Sequence, residues 1–87
     1  MMEKEIKIIR QPGLMDNRIS TGFLQKAYEF ESDVRIKKNN QEYNAKDLLN
    51  LLSAGIRTGD EIKIITNGAD EQDAIHALCA FVNQEGN

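Results

Sequence analysis

Val34-Arg35-Ile36-Lys37-Lys38-Asn39-Asn40-Gln41-Glu42-Tyr43-Asn44-Ala45 reads as a hairpin. From Val34 to Lys37 apolar and basic residues alternate, as they do in a strand with one buried and one wet face. Asn39-Asn40 stands where the chain must reverse, and asparagine tolerates the positive φ that a type I′ turn requires. Gln41 to Ala45 returns as a second strand with a weaker pattern, Tyr43 being its main apolar contact. The hairpin and the other short strands predict one antiparallel or mixed sheet.

Upstream of the hairpin, Glu5 to Ile9 reads as a short strand, with Ile6 and Ile8 on one face. Pro12-Gly13 stops it, since proline lacks an N–H and glycine tolerates left-handed angles. Asp16 then offers an oxygen to the free N–H groups of a first helical turn. A helix follows from about Asn17 to Phe30, with Ile19, Phe23 and Ala27 at helical spacing, and Ser32-Asp33 breaks it. Gly22 within it costs about 1 kcal/mol against alanine. That glycine permits a close approach, either of a partner or of the last helix.

Downstream, Asp47 opens a short helix over Leu48–Ser53, and Gly55 ends it near the position where glycine is favoured. Thr58-Gly59-Asp60 is a turn. Glu61 to Thr66 is the last strand, with Ile62 and Ile64 on one face, and Asn67-Gly68 closes it. Ala69 or Asp70 opens a third helix, with Glu71 and Asp73 placed against its positive end. Its apolar stripe is Ala74, Ile75, Leu78, Phe81 and Val82. The order is β-α-β-β-α-β-α. The first and third helices are expected to cover one face of a four-stranded sheet, with the short helix more peripheral.

A chain of 87 residues is long enough for one domain and too short for two, so 1–87 is read as a single domain. The net charge of −3 argues against a nucleic-acid binder held by phosphate contacts. Cys79 is the lone cysteine and His76 the lone histidine, which excludes an internal disulfide and a Cys/His zinc cage within one chain. No cofactor is expected. There is no signal-peptide core and no run long enough to span a membrane, so the expected location is the cytoplasm.

Several local motifs, taken with the element order and the length, resemble the HPr/Crh family of the bacterial sugar phosphotransferase system. Gly13-Leu14, followed by Arg18 and a helix, resembles the family's active-site turn. Lys46-Asp47-Leu48-Leu49-Asn50-Leu51-Leu52-Ser53-Ala54-Gly55-Ile56 resembles its regulatory segment, an apolar helix ending at glycine. Gly68-Ala69-Asp70-Glu71-Gln72-Asp73-Ala74 resembles the run before its last helix and is the most specific match. The resemblance covers nearly the whole chain. It implies an α+β fold, the HPr-like open-faced β-sandwich, with helices on one face of four strands.

The departures from the family pattern bear on function. The family's phosphorylated histidine lies two positions before its arginine, which is Asp16 here counting back from Arg18. Counting forward from Gly13 it is Met15. Asp16 is preferred, because Arg18, Asp47 and Gly68 keep the family's mutual spacing without gaps. The family's proline after the arginine is Ile19, and its regulatory serine, which a kinase modifies, is Asp47. Both phosphorylation positions thus carry aspartate. His76 belongs to the third helix and is expected to face solvent or be half-buried there.

Each of these residues also has a plain reading. Asp16 is a helix N-cap, worth about 1 kcal/mol, or a phosphoryl acceptor through its carboxylate, or a crude mimic of phosphohistidine. Arg18 is a solvated helix residue, or it holds an anion or a partner's carboxylate through its planar fork. Asp47 caps the short helix and, by resemblance, stands in for phosphoserine with one charge in place of about two. Leu48, Leu49, Leu51 and Leu52 exceed what so short a helix can bury. Leu48, Leu49 and Leu52 are expected to form a docking patch, with Leu51 inward. The resemblance implies protein partners, either phosphotransferase enzymes or a catabolite regulator, and a binding or regulatory role. The alternative is a phosphocarrier that uses Asp16.

Overall fold

The computed structural model describes residues 1–9 and 16–83, with Asp16 and Asn17 by their backbone. The strands β1 (Met2–Lys7), β2 (Asp33–Lys38), β3 (Gln41–Asn44) and β4 (Glu61–Asn67) form one sheet in the order β1-β4-β2-β3. Every neighbouring pair is antiparallel, so the sheet is not mixed. The hairpin that joins β2 to β3 turns at Asn39 and Asn40, whose φ angles are 53° and 66°, as a type I′ turn demands.

Alternation along the central strands sets which face is covered. Val34 and Ile36 of β2 and Ile62 and Ile64 of β4 are buried, while Arg35 between the first pair is exposed and Lys63 between the second is half-buried. Against the buried face pack α1 (Asp16–Ala27), α2 (Leu48–Ala54) and α3 (Glu71–Val82). The spacing of Ile19, Phe23 and Ala27 turns all three into the core, and Ala74, Ile75, Leu78 and Val82 do the same for α3. Phe81 is half-buried and meets Phe23 edge-on, with ring centroids 6.4 Å apart. Gly22 serves the contact between α1 and α3, because a Cβ there would stand 2.6 Å from the end of the Phe81 ring.

Several boundaries differ from those expected. Strand β1 runs over Met2–Lys7 instead of Glu5–Ile9. Its polar start pairs with β4 through the backbone, from Met2 opposite Thr66 to Lys7 opposite Glu61, which needs no apolar alternation. Ile8 leaves the ladder, donating its N–H to Asp60 O at 2.8 Å while its side chain enters the core. Helix α1 ends at Ala27, not Phe30, because Glu29 and Phe30 donate three residues back, to Lys26 O and Ala27 O. Helix α3 begins at Glu71, with Asp70 as its N-cap residue, and the Asp70 carboxylate makes no cap bond.

That carboxylate instead ties α3 to the segment before β2. It accepts from the N–H groups of Glu31 and Ser32, both at 2.9 Å, and from the Ser32 hydroxyl. Ser32 is buried, and Gly68 packs so closely on it that a Cβ would lie 2.7 Å from the Ser32 Cα. A second tie is Lys38, whose ammonium donates to Ala54 O and Gly55 O, each at 3.0 Å, and pairs with Asp60 at 2.9 Å. It supplies at the end of α2 the positive charge that the last turn of that helix lacks.

Candidate functional site

Helix α2 is short, capped at both ends and apolar on two sides. Asp47 has extended backbone angles, and its Oδ1 accepts from Asn50 N at 3.2 Å, satisfying one free donor of the first turn. Gly55 closes the helix with a φ of 60° and donates its N–H to Leu52 O. Between these caps Leu51 and Ala54 point into the core, and Leu51 is fully buried. The other leucines face outward: Leu48 is 40% exposed, Leu49 77% and Leu52 47%. These three leucines therefore form an apolar surface beside a carboxylate.

Tertiary contacts hold this surface in place. Asn50 Oδ1 accepts from Asn44 N at 2.6 Å, and Asn44 Oδ1 accepts from Lys46 N at 2.9 Å, so the start of α2 is fastened to β3. The Lys46 ammonium donates to Phe30 O at 2.6 Å, and the Tyr28 hydroxyl donates to Lys46 O at 2.6 Å. The second bond sets a largely exposed aromatic ring beside the entry to α2. Sequence reasoning missed Tyr28, Lys46 and Asn50 as parts of this surface. Tyr28 and Lys46 act through backbone carbonyls distant in sequence, Asn50 through the backbone N–H of Asn44, and none of these leaves a periodic signal.

Arg18 is exposed on the first turn of α1, and its guanidinium has no ion pair among the described residues. Asp16 is the first residue of α1. The cap, phosphoryl-acceptor and phosphohistidine-mimic roles read for its side chain, and the turn through Gly13, lie outside the described residues. Helix α1, which carries Arg18, packs against α2. His76 is exposed on α3. Among the described residues no group of three or more His, Cys, Asp or Glu is placed to hold a metal ion.

Away from α2, carboxylates are tuned by their ties. Partial burial pushes Asp60 up, but the Lys38 ammonium and the Arg57 N–H outweigh it and hold the carboxyl below its ordinary 3.8. The Ser32 hydroxyl, with the N–H groups of Glu31 and Ser32, holds Asp70 below the same value. Burial raises the Cys79 thiol on α3 above its ordinary value, so it is not a poised nucleophile. None of the described helices is long and apolar enough to cross a membrane.

Comparison with known proteins agrees with this architecture. Residues 2–84 match the family model PTS-HPr, described as the PTS HPr component phosphorylation site. The HPr-like protein Crh of Halalkalibacterium halodurans is 39% identical over 85 residues, covering 98% of this chain and all of that one. The phosphocarrier protein HPr of Neisseria meningitidis is 36% identical over 83 residues, covering 95% of this chain and 92% of that one. The crystal structure of a phosphocarrier protein HPr from Bacillus anthracis superposes with a TM-score of 0.83 at 34% identity, over 94% of this chain and 96% of that one. A family match across nearly the whole length, relatives this similar and a shared four-stranded fold agree, and the chain belongs to the HPr family of the phosphotransferase system, the family of the phosphocarrier HPr and the HPr-like Crh.

Proposed function

We propose that this chain is a regulatory binding member of the family that carries no phosphate on histidine. It acts in the cytoplasm as a single domain over residues 1–87. The observation that carries the reading is the outer face of α2, where Leu48, Leu49 and Leu52 stand exposed beside the capping carboxylate of Asp47. An apolar centre flanked by charge is the usual build of a protein interface. Asp47 supplies there the constant negative charge that a kinase would otherwise add to a serine. Arg18 meets a carboxylate of the partner, and Asp16 holds the family's histidine position. The partners are phosphotransferase enzymes or a catabolite regulator that recognise this family.

The test is incubation with phosphoenolpyruvate and the general enzyme of the phosphotransferase system, followed by intact mass measurement. No acid-labile adduct is expected, since the family's histidine position is an aspartate. Treatment with the family's serine kinase is expected to leave the mass unchanged, because Asp47 offers no hydroxyl. A stoichiometric adduct mapping to Asp16 would replace this reading with that of a phosphocarrier using a carboxylate.

A further inference from the structure

The sheet face turned away from the helices holds a concavity of about 420 Å³. Strand register decides which side chains line it. Glu5 lies opposite Lys63, and Lys63 lies opposite Lys37. Two residues further along, Lys7 lies opposite Glu61. Residues directly opposite in an antiparallel pair point to the same face, so the side chains of Lys63 and Lys37 leave the sheet on one face from neighbouring positions. Like charges in that position repel, and an anion seated between them removes the repulsion. Lys63 also reaches Glu3 at 3.4 Å. Lys7 and Lys37 have no hydrogen bond or ion pair with their side chains among the described residues.

The remaining wall selects what kind of anion fits. The turn at Asn39 and Asn40 borders the concavity and supplies carboxamide donors and acceptors. Glu5 and Glu61 are also on the lining, and their carboxylates disfavour a bare polyanion while accepting well from hydroxyl groups. The volume falls within the roughly 300–1,000 Å³ of small-molecule sites. Lysine is a compact point charge suited to phosphate.

We propose that this concavity binds a small phosphorylated polyol, with its phosphate on Lys37, Lys63 and Lys7 and its hydroxyls against the carboxamides and carboxylates. The site is on the sheet's open face and shares no residue with the leucine face of α2. It stands or falls independently of the partner assigned to that face.

The experiment is a titration of the isotope-labelled full chain with ribose 5-phosphate, followed by amide NMR, with ribose and inorganic phosphate as comparison probes. Saturable shifts are expected at the ends of β1, β2 and β4 and at the Asn39–Asn40 turn, with none from ribose. Inorganic phosphate should shift the same amides at higher concentration. Lys37→Gln and Lys63→Gln should each weaken ribose 5-phosphate by about tenfold, the usual loss for one charged hydrogen bond. Affinity should also fall as salt is raised. An unchanged fingerprint in both variants away from the substituted strands keeps a loss of binding from being a loss of fold. Shifts confined to the start of α1, binding unaltered in both lysine variants, or no saturable shift at all would each overturn the proposal. Equal affinity for inorganic phosphate would overturn the polyol part of it.

Discussion

Asp47 carries a structural and a functional role on one carboxylate, and the two separate by substitution. Asp47→Ala loses the bond to Asn50 N and should lower stability by about 0.5–2 kcal/mol in urea unfolding. Asp47→Asn keeps an accepting oxygen and removes the charge, so stability should change little. Its effect belongs to binding: slower association at low salt, with the loss shrinking as salt is raised. Should Asp47→Asn and Asp47→Ser both bind family-recognising regulators as well as wild type at low salt, Asp47 is only a cap. This cap was legible in the sequence, because a cap acts within one turn and its signal is local. Lys38 was not legible. Its acceptors lie at Ala54, Gly55 and Asp60, and nothing in the spacing of Lys37-Lys38 says that one faces solvent while the other clamps a helix end.

At the scale of elements, α2 and α3 make opposite demands on their apolar residues. Leu51→Ala should cost about 2–5 kcal/mol of stability, since Leu51 is fully buried. Leu52→Ala should leave stability nearly intact and weaken partner binding by about 1 kcal/mol or more. If the two variants prove alike in urea, the inward and outward faces of α2 have been confused. For α3, the half-buried Phe81 ring sets the expected cost of Phe81→Ala at about 3 kcal/mol, the low end for a phenylalanine. Gly22→Ala should destabilise wild type, because the added methyl meets the ring, yet stabilise the Phe81→Ala protein, where about 1 kcal/mol of helix propensity is gained without a clash. Additive effects in that cycle would mean that the ring does not touch Gly22. The helix stripes were readable because burial imposes a period on them. The start of β1 was not, because Met2 to Lys4 join the sheet through main-chain bonds, to which Glu3 and Lys4 contribute no apolar signal.

Across the whole molecule, each depressed carboxylate joins distant parts of the chain. Asp70 links α3 to the segment before β2, and Asp60 links the turn before β4 to Lys38 on β2. Glu71 meets the Met1 ammonium at 2.9 Å and accepts from Gly68 N, and these hold it below its ordinary 4.5. Each group binds its proton less readily in the folded than in the unfolded chain. The unfolded state therefore takes up protons first as pH falls, and stability declines from the ordinary values of 4.5 and 3.8 down through the lower folded values. Above that window the contribution is complete and flat. Urea midpoints measured from neutral pH to about pH 2 should show a plateau followed by an acid limb. Asp70→Asn tests who carries that limb. Its amide keeps one acceptor and places N–H donors against the donors of either Glu31 or Ser32, so its midpoint should lie below wild type at neutral pH. With one depressed group gone, its acid limb should also be shallower, and the two curves should draw together as the pH falls through the lowered folded value of wild-type Asp70. Parallel limbs at all pH values would mean that the Asp70 carboxylate ionises alike in both states, and that the junction between α3 and the start of β2 rests on packing of Ser32 against Gly68 alone.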